Sequence, residues 1–370
     1  MGPIRALNGL ANSAYGIYAI HMNRHAVALA LLSAALFGVS TPAAKVLLGA
    51  IDPAVLAGLL YCGAGVGVAV LRRVARPVIR AKEPVEAPLG SADLPWLAAA
   101  IVVGGVVGPL LLMAGLARTD AATASLLLTM EGVATAFLAW FAFHENFDRR
   151  IAVGMACLVT GAVVLAWSGA PTIFGLVGPL AIIGACIAWG FDNNLTRKVS
   201  LADPLQIVEL KGLIAGPVNL VLGLWAGGSF PSLSPVLIAG LVGFLGYGVS
   251  LALFIRALRD LGTARTGAYF STAPFIGAVG AILFLREPIS VQLLAAGLLM
   301  GVGVWLHLTE KHEHEHEVME HAHSHVHDAH HRHAHGPDDP PGEPHTHRHR
   351  HTRLRHKHAH TPDMHHSHRH

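Results

Sequence analysis

Ala121 to Phe143 read AATASLLLTMEGVATAFLAWFAF, an apolar stretch with one charged side chain, Glu131, near its middle. About 20 apolar residues rising ~1.5 Å each cross the hydrocarbon core of a bilayer, so this stretch predicts a membrane span. A carboxylate at that depth meets no water unless it faces the protein interior, which makes Glu131 a candidate for substrate or proton binding; the competing reading is a protonated Glu131 hydrogen-bonded to a neighbouring helix. The rest of the 370 residues has the same character, with 53% hydrophobic and 13% charged residues and a mean hydropathy of +0.50. Soluble domains carry about a quarter charged residues, so the composition predicts an all-α, polytopic membrane protein.

Working outward from Glu131, apolar segments predict ten transmembrane helices at about 26–48, 54–71, 94–116, 121–143, 151–168, 174–195, 205–226, 235–258, 266–285 and 289–308. Residues 1–24 hold only broken apolar runs and no cleavable leader pattern, which predicts an N-terminal cytoplasmic extension and leaves Met1 and Met22 both open as the start. The strongest basic linker holds Arg72, Arg73, Arg76, Arg80 and Lys82, and Arg149–Arg150 and Arg197–Lys198 fall in alternate linkers. The positive-inside rule then places both termini in the cytoplasm of a bacterial cytoplasmic (inner) membrane.

The chain repeats itself. Phe37-Gly38, Lys45 and Asp52-Pro53 return as Trp189-Gly190, Arg197 and Asp203-Pro204, and His144-Glu145 returns as Arg286-Glu287. Five spans per copy is an odd number, so the copies, 25–169 and 170–308, are expected to cross in opposite directions as two inverted five-helix repeats. Small-residue pairs such as Gly63/Gly67, Gly104/Gly108, Gly223/Gly227 and Gly297/Gly301 predict close helix packing.

FGVSTPAAK in the first span and TAPFIGAVGAILFLREPISVQLLAAGLLMGVGVWL near the end resemble the EamA-type members of the drug/metabolite transporter superfamily, over about residues 26–308. Lys45, Glu145, Pro274 and Glu287 carry the repeat motif; Gly132 stands where the family usually has proline, and Leu60 where it often has a basic residue, a role Lys211 fills in the second half. The resemblance implies transport of small polar metabolites, amino acids or drugs, commonly as export, without ATP hydrolysis in the same chain.

No GxxxxGK[ST] sequence is present, so neither a primary pump nor an enzyme is indicated. Ion coupling needs a buried group that titrates or binds a cation, which selects Glu131 and Asp192 with Asn193, Asn194, Thr129 and Lys211 as the substrate or proton site. The plainer readings are helix-end caps for Asp192 to Asn194, and Glu209 and Lys211 snorkelling to the membrane boundary. Asp52 and Asp203 precede proline as turn and cap residues, and Glu145 and Glu287 are read as structural. Cys62, Cys157 and Cys186 lie singly in apolar segments, which fits packing rather than disulfide or thiolate chemistry.

From 309 to 370 histidine dominates. The tail holds twenty-two histidines, among them His312, His314, His316, His321, His323, His325, His327, His330, His331, His333, His335, His345, His347, His349 and His351, and has no apolar periodicity. It is expected to be a disordered cytoplasmic tail. Neutral imidazole ligates Zn, Ni, Co or Cu, so metal binding by the tail is expected chemistry, although no cofactor is required. Three functions stay open: a transporter of an organic solute, a transporter of a transition-metal ion, or a membrane protein whose tail buffers or senses metal. The expected partners are a small-molecule solute, membrane lipid and divalent transition metals but no nucleic acid, since the basic residues form no contiguous patch, and a homodimer is left open.

Overall fold

The computed structural model describes residues 3–79, 89–91, 93–143, 149–167, 173–199, 203–261 and 263–308, with four short tail segments between 311 and 359. Up to Leu308 its regular elements are helices: α1 (Pro3–Leu47), α2 (Pro53–Ile79), α3 (Leu94–Ala100), α4 (Gly108–Leu116), α5 (Ala121–Leu127), α6 (Met130–Phe143), α7 (Arg149–Ala166), α8 (Ile173–Lys198), α9 (Pro204–Trp225), α10 (Leu233–Gly243), α11 (Ser250–Leu261), α12 (Thr263–Phe270), α13 (Ala273–Leu285) and α14 (Val291–Leu308). Two π-helical segments, Ile101–Val107 and Phe244–Val249, join α3 to α4 and α10 to α11. Among the described residues, eight helical stretches are long and apolar enough to cross a membrane, and two shorter apolar helices follow, Ala273–Leu285 and Val291–Leu306. With no water in the bilayer core, a helix is the way a single segment satisfies its own backbone, and large apolar side chains such as Leu283, Phe284 and Leu298 stand exposed on its outer surface.

Sequence sets the helix ends. Pro53 and Pro204 open α2 and α9, where a missing N–H costs no helical hydrogen bond. Asp203 Oδ1 accepts from the Leu205 and Gln206 amides at 2.9 and 3.4 Å, a cap of the expected kind. Its counterpart Asp52 is turned elsewhere: Oδ2 accepts from the Ser229 amide at 2.9 Å, tying the turn before α2 to the one after α9.

The structure corrects two of the expected spans. The fourth is not continuous, because i−3 hydrogen bonds replace the helical pattern at Thr129, Glu131 and Gly132, and Thr129 Oγ1 donates to the Leu126 carbonyl at 2.8 Å. The ninth breaks at the corresponding place, where Thr272 Oγ1 donates to the Tyr269 carbonyl at 2.6 Å. A hydroxyl that bonds its own preceding turn competes with the helix ladder, and Pro274 two residues later cannot donate to it. Each break falls where polar or ring residues interrupt the apolar sequence, Thr129 and Glu131 in the fourth span and Thr272 and Pro274 in the ninth.

Packing shows the repeat more directly than the sequence does. Gly38 of α1 lies against the backbone of Ala273 and Gly277 in α13, and Gly190 of α8 lies against Ala134 and Thr135 in α6. Likewise Ser40 of α1 meets Gly246 in one π segment and Asp192 of α8 meets Gly104 in the other. The opening helix of each repeat therefore packs on the other repeat. At the centre α2 crosses α9 with Gly65 on Gly212 and Gly58 on Gly216 and Leu220, so no side chain separates the two backbones.

Beyond Leu308 four short tail segments are described. They form β1 (Lys311–His316) with β4 (Leu354–Ala359), and β2 (Glu320–His325) with β3 (His345–Arg350), both antiparallel. Their strict two-residue alternation matches the strand period, and the register sets Glu313 opposite Lys357 and Glu315 opposite Arg355.

Candidate functional site

The last two turns of α8 carry Asp192, Asn193, Asn194 and Thr196. Asp192 lies over Gly104, where the π segment offers no side chain, and is 8% exposed. Lys211, two turns inside α9, reaches it with Nζ at 2.5 Å from Oδ1 and 2.8 Å from Oδ2. Thr196 donates to Asp192 Oδ1 at 3.0 Å and receives from Lys211 Nζ at 3.1 Å. Neither plain reading holds: Asp192 caps no helix end, and Lys211 turns inward because a carboxylate is within reach there. Taking a charge pair out of water is costly, and a lysine with three placed donors on Asp192 and Thr196 recovers much of that cost.

Glu131 opens α6, immediately after the break. Asn193 Nδ2 donates to its Oε1 at 2.9 Å and to Thr135 Oγ1 at 3.2 Å, linking the two repeats. At about 100° per residue Asn193 lies about 120–160° round α8 from Leu180, Ile187 and Phe191, the exposed apolar stripe, yet is itself exposed. Asn193 is therefore exposed on a face of α8 other than its apolar stripe. Phe37 on α1 lies about 140–180° from exposed Leu32, Val39 and Val46, and Glu131 about 120° from exposed Phe137, so each faces away from those exposed apolar residues of its own helix.

Aromatic rings form a connected line. Tyr61 and Tyr247 have centroids 5.9 Å apart, Tyr247 and Phe37 5.8 Å, Phe37 and Phe270 5.4 Å, and Phe270 and Phe254 5.0 Å. Tyr61 Oη and Trp189 Nε1 both donate to the Gly104 carbonyl, at 3.2 and 3.0 Å, and Asn219 Nδ2 donates to the Gly105 carbonyl at 2.9 Å. These donors occupy carbonyls that the wider π turn leaves less well bonded than an α-helix does.

Thr129 and Asn194 do not join the cluster. Thr129 spends its hydroxyl at the helix break, and Asn194 Nδ2 donates to the Gly190 and Thr135 carbonyls at 2.8 and 3.3 Å, a packing role between α8 and α6. The motif residues are structural where described: Lys45 Nζ donates to the Leu116 and Thr119 carbonyls at 2.7 and 2.8 Å, ending α4, and Glu287 accepts from the Ala121 and Ala122 amides at 2.7 and 2.8 Å, starting α5. Pro274 sits in the first turn of α13, and Glu145 lies outside the described residues. Glu209 pairs with Arg72, whose Nη2 is also 2.8 Å from Asp203 Oδ2, so a residue read only as a topology marker clamps α2 to α9. Sequence reasoning missed Tyr61, Thr196 and Asn219; only Asn219, an amide within an apolar span, offered a signal. Among the described residues no group of His, Cys, Asp and Glu side chains is placed to hold a metal, and His327, His330, His331, His333, His335 and His351 lie outside them.

The EamA-like transporter family matches twice, over residues 24–167 and 176–309. The chain belongs to this family. The two matches coincide with the two halves of the bundle, which makes the protein a multi-pass membrane protein of two-repeat transporter architecture. An "uncharacterized transporter" of Methanothermobacter thermautotrophicus is 28% identical over 281 residues, covering 73% of this chain and 82% of the relative. The "uncharacterized transporter YvbV" of Bacillus subtilis is 24% identical over 197 residues, 52% of this chain and 64% of the relative. A protein of known crystal structure shares the fold with a TM-score of 0.56 at 16% identity, covering 76% of this chain and 96% of its own.

Proposed function

We propose that this EamA-family protein is a secondary transporter that exports a small organic solute, a metabolite, amino acid or drug-like molecule, by alternating access coupled to protons or another ion. The observation that carries the reading is the polar cluster at the junction of the repeats, where Glu131 of the first half meets Asn193 of the second beside the Asp192–Lys211 pair. Intramembrane ionisable groups facing a bundle interior mark solute and ion pathways, and repeat transporters bind near the midplane at the repeat interface. Counting the two shorter apolar helices as spans gives each repeat five, an odd number that with the basic linkers supports inverted repeats and cytoplasmic termini. Thiols introduced at Arg76 are then shielded from an impermeant reagent in intact cells and one at Pro231 is reached; the opposite pattern reverses the orientation.

The transport reading is tested in proteoliposomes with an imposed proton gradient and a panel of amino acids, amines and small carboxylates. Saturable, gradient-dependent flux of at least one solute is expected, and it is lost or uncoupled from pH in Glu131→Gln. Flux that is unchanged in both respects by that substitution removes Glu131 from the site, and an absence of any flux removes the transporter reading.

The tail supports a second, separable property. The register sets His312 opposite His358, His314 opposite His356, and His321, His323 and His325 opposite His349, His347 and His345. Histidines at this density favour capture of Zn, Ni, Co or Cu, in service of buffering or sensing rather than of the solute site.

A further inference from the structure

The turn between α4 and α5, residues 117–120, is held by charges from elsewhere in the chain. Lys45, in the last turn of α1, donates to the Leu116 and Thr119 carbonyls at 2.7 and 2.8 Å, and Glu287, just beyond α13, accepts from the Ala121 and Ala122 amides at 2.7 and 2.8 Å. Each charge has the sign that its helix end favours, a cation at the carbonyl end of α4 and a carboxylate at the amide end of α5. Around them Ala44, Leu116, Ala121, Ala124 and Ala281 are wholly buried in one core cluster, so this end of α1, α4, α5 and α13 is packed shut. The topology proposed above puts it on the outer side of the membrane.

Three observations set this grip apart from an ordinary pair of caps. Asp120 occupies the N-cap position of α5 with extended backbone, φ −61° and ψ 146°, yet its side chain makes no cap bond; Glu287 holds the first two amides instead. A cap of a favoured residue type therefore stands idle beside the one in use. Arg286, which turns the chain out of α13 into Glu287, has φ 57° and ψ 35°, and is the one left-handed residue other than glycine among those described. Glycine alone adopts that conformation freely, so the closed arrangement carries strain. Thr119 Oγ1 is buried over Gly178 without a hydrogen-bond partner, a second cost of the same arrangement. Resting on the transporter reading, we propose that Lys45 and Glu287 form a releasable latch on the outer end of the bundle. When it opens, Glu287 leaves the α5 amides, Asp120 caps them in its place, Arg286 relaxes, and the α4–α5 turn moves off α1 and α13. The turn is thereby an element with two discrete arrangements, which a conformational change between closed and open mouths requires.

The test follows the reaction of introduced thiols with a water-soluble maleimide in the detergent-purified full chain, corrected for Cys62, Cys157 and Cys186. Ser125→Cys places one beneath the latch, where the serine hydroxyl is buried beside Gly277 without a partner and so gives up no hydrogen bond. Ala30→Cys places another in the opposite half of α1, equally buried. Both are expected to react slowly. Glu287→Gln and Lys45→Met are expected to speed the reaction at Ser125→Cys about tenfold or more, with Ala30→Cys unchanged. Asp120→Ala, which removes a side chain that caps nothing in the closed state, is expected to slow the reaction at Ser125→Cys about fivefold, and Arg286→Gly to slow it by a similar factor. Faster reaction at both thiols in the latch variants shows general loosening and overturns the inference. So does a rate at Ser125→Cys that Glu287→Gln leaves unaltered, or that Asp120→Ala leaves unaltered or raises. Where Glu287→Gln or Lys45→Met does not fold, Asp120→Ala and Arg286→Gly decide alone. These rates need no solute, so a protein that reacts as expected yet carries nothing keeps the latch and loses the transport reading, and one that carries a solute with unaltered rates does the reverse.

Discussion

Asp192 and Lys211 show what a single residue can and cannot announce. Both are legible as charges among apolar neighbours; their partnership is not, since it depends on α8 and α9 meeting at Gly104, which has no side chain to keep Asp192 away. Glu131 is legible for the same reason, yet its placement at the start of a half-helix, where the helix dipole favours negative charge, follows from a break at Thr129 to Gly132 that span length and hydropathy do not mark. Breaking a buried pair from one side leaves an uncompensated charge and costs about 3–5 kcal/mol, so Lys211→Met is expected to lower the melting temperature strongly. Asp192→Asn combined with Lys211→Met should recover most of that loss, because two neutral groups carry no orphaned charge. A double variant as unstable as the single one shows that the pair is held by something other than mutual neutralisation.

Among the elements, the α2–α9 crossing depends most on what is missing from it. The small-residue pairs did locate close packing, with Gly63 on the Gly240 backbone and Gly223 on Ala54 and Val55, but another close contact of the crossing, Gly65 on Gly212, belongs to none of them. Gly227 is not a packing glycine: it sits at φ 91° with nothing near a side-chain position, and so ends α9 where an L residue would be strained. Gly212→Leu is expected to force the two backbones apart and to abolish a cooperative melt in detergent, whereas Gly240→Ala, with open space where its methyl would point, leaves the melting temperature unchanged or slightly raised. Equal behaviour of the two variants removes the crossing as the centre of the fold. Neither π segment was legible, because the extra residue in such a turn leaves no trace in apolar periodicity; only the Gly104-Gly105 and Gly246/Gly248 positions hint at close approach.

For the whole molecule, duplication could be read from the sequence because its polar punctuation repeats, whereas the exchange of opening helices could not, since sequence similarity says which helices correspond and not which ones touch. The tail is the one part whose composition decides its chemistry ahead of its shape. Truncation after Thr309 is expected to leave the melt of the bundle in place and to remove multivalent Zn²⁺ or Ni²⁺ binding by calorimetry, and an unchanged stoichiometry moves the metal into the bundle and makes metal-ion transport the better account. The exchanged helices also set an order of events during synthesis. The helix made first, α1, packs on α13, made almost last, so it enters the bilayer long before its partner exists and waits there with Gly38 bare. Each half is thus finished only by the other, and the protein reaches the membrane as two incomplete pieces on one thread.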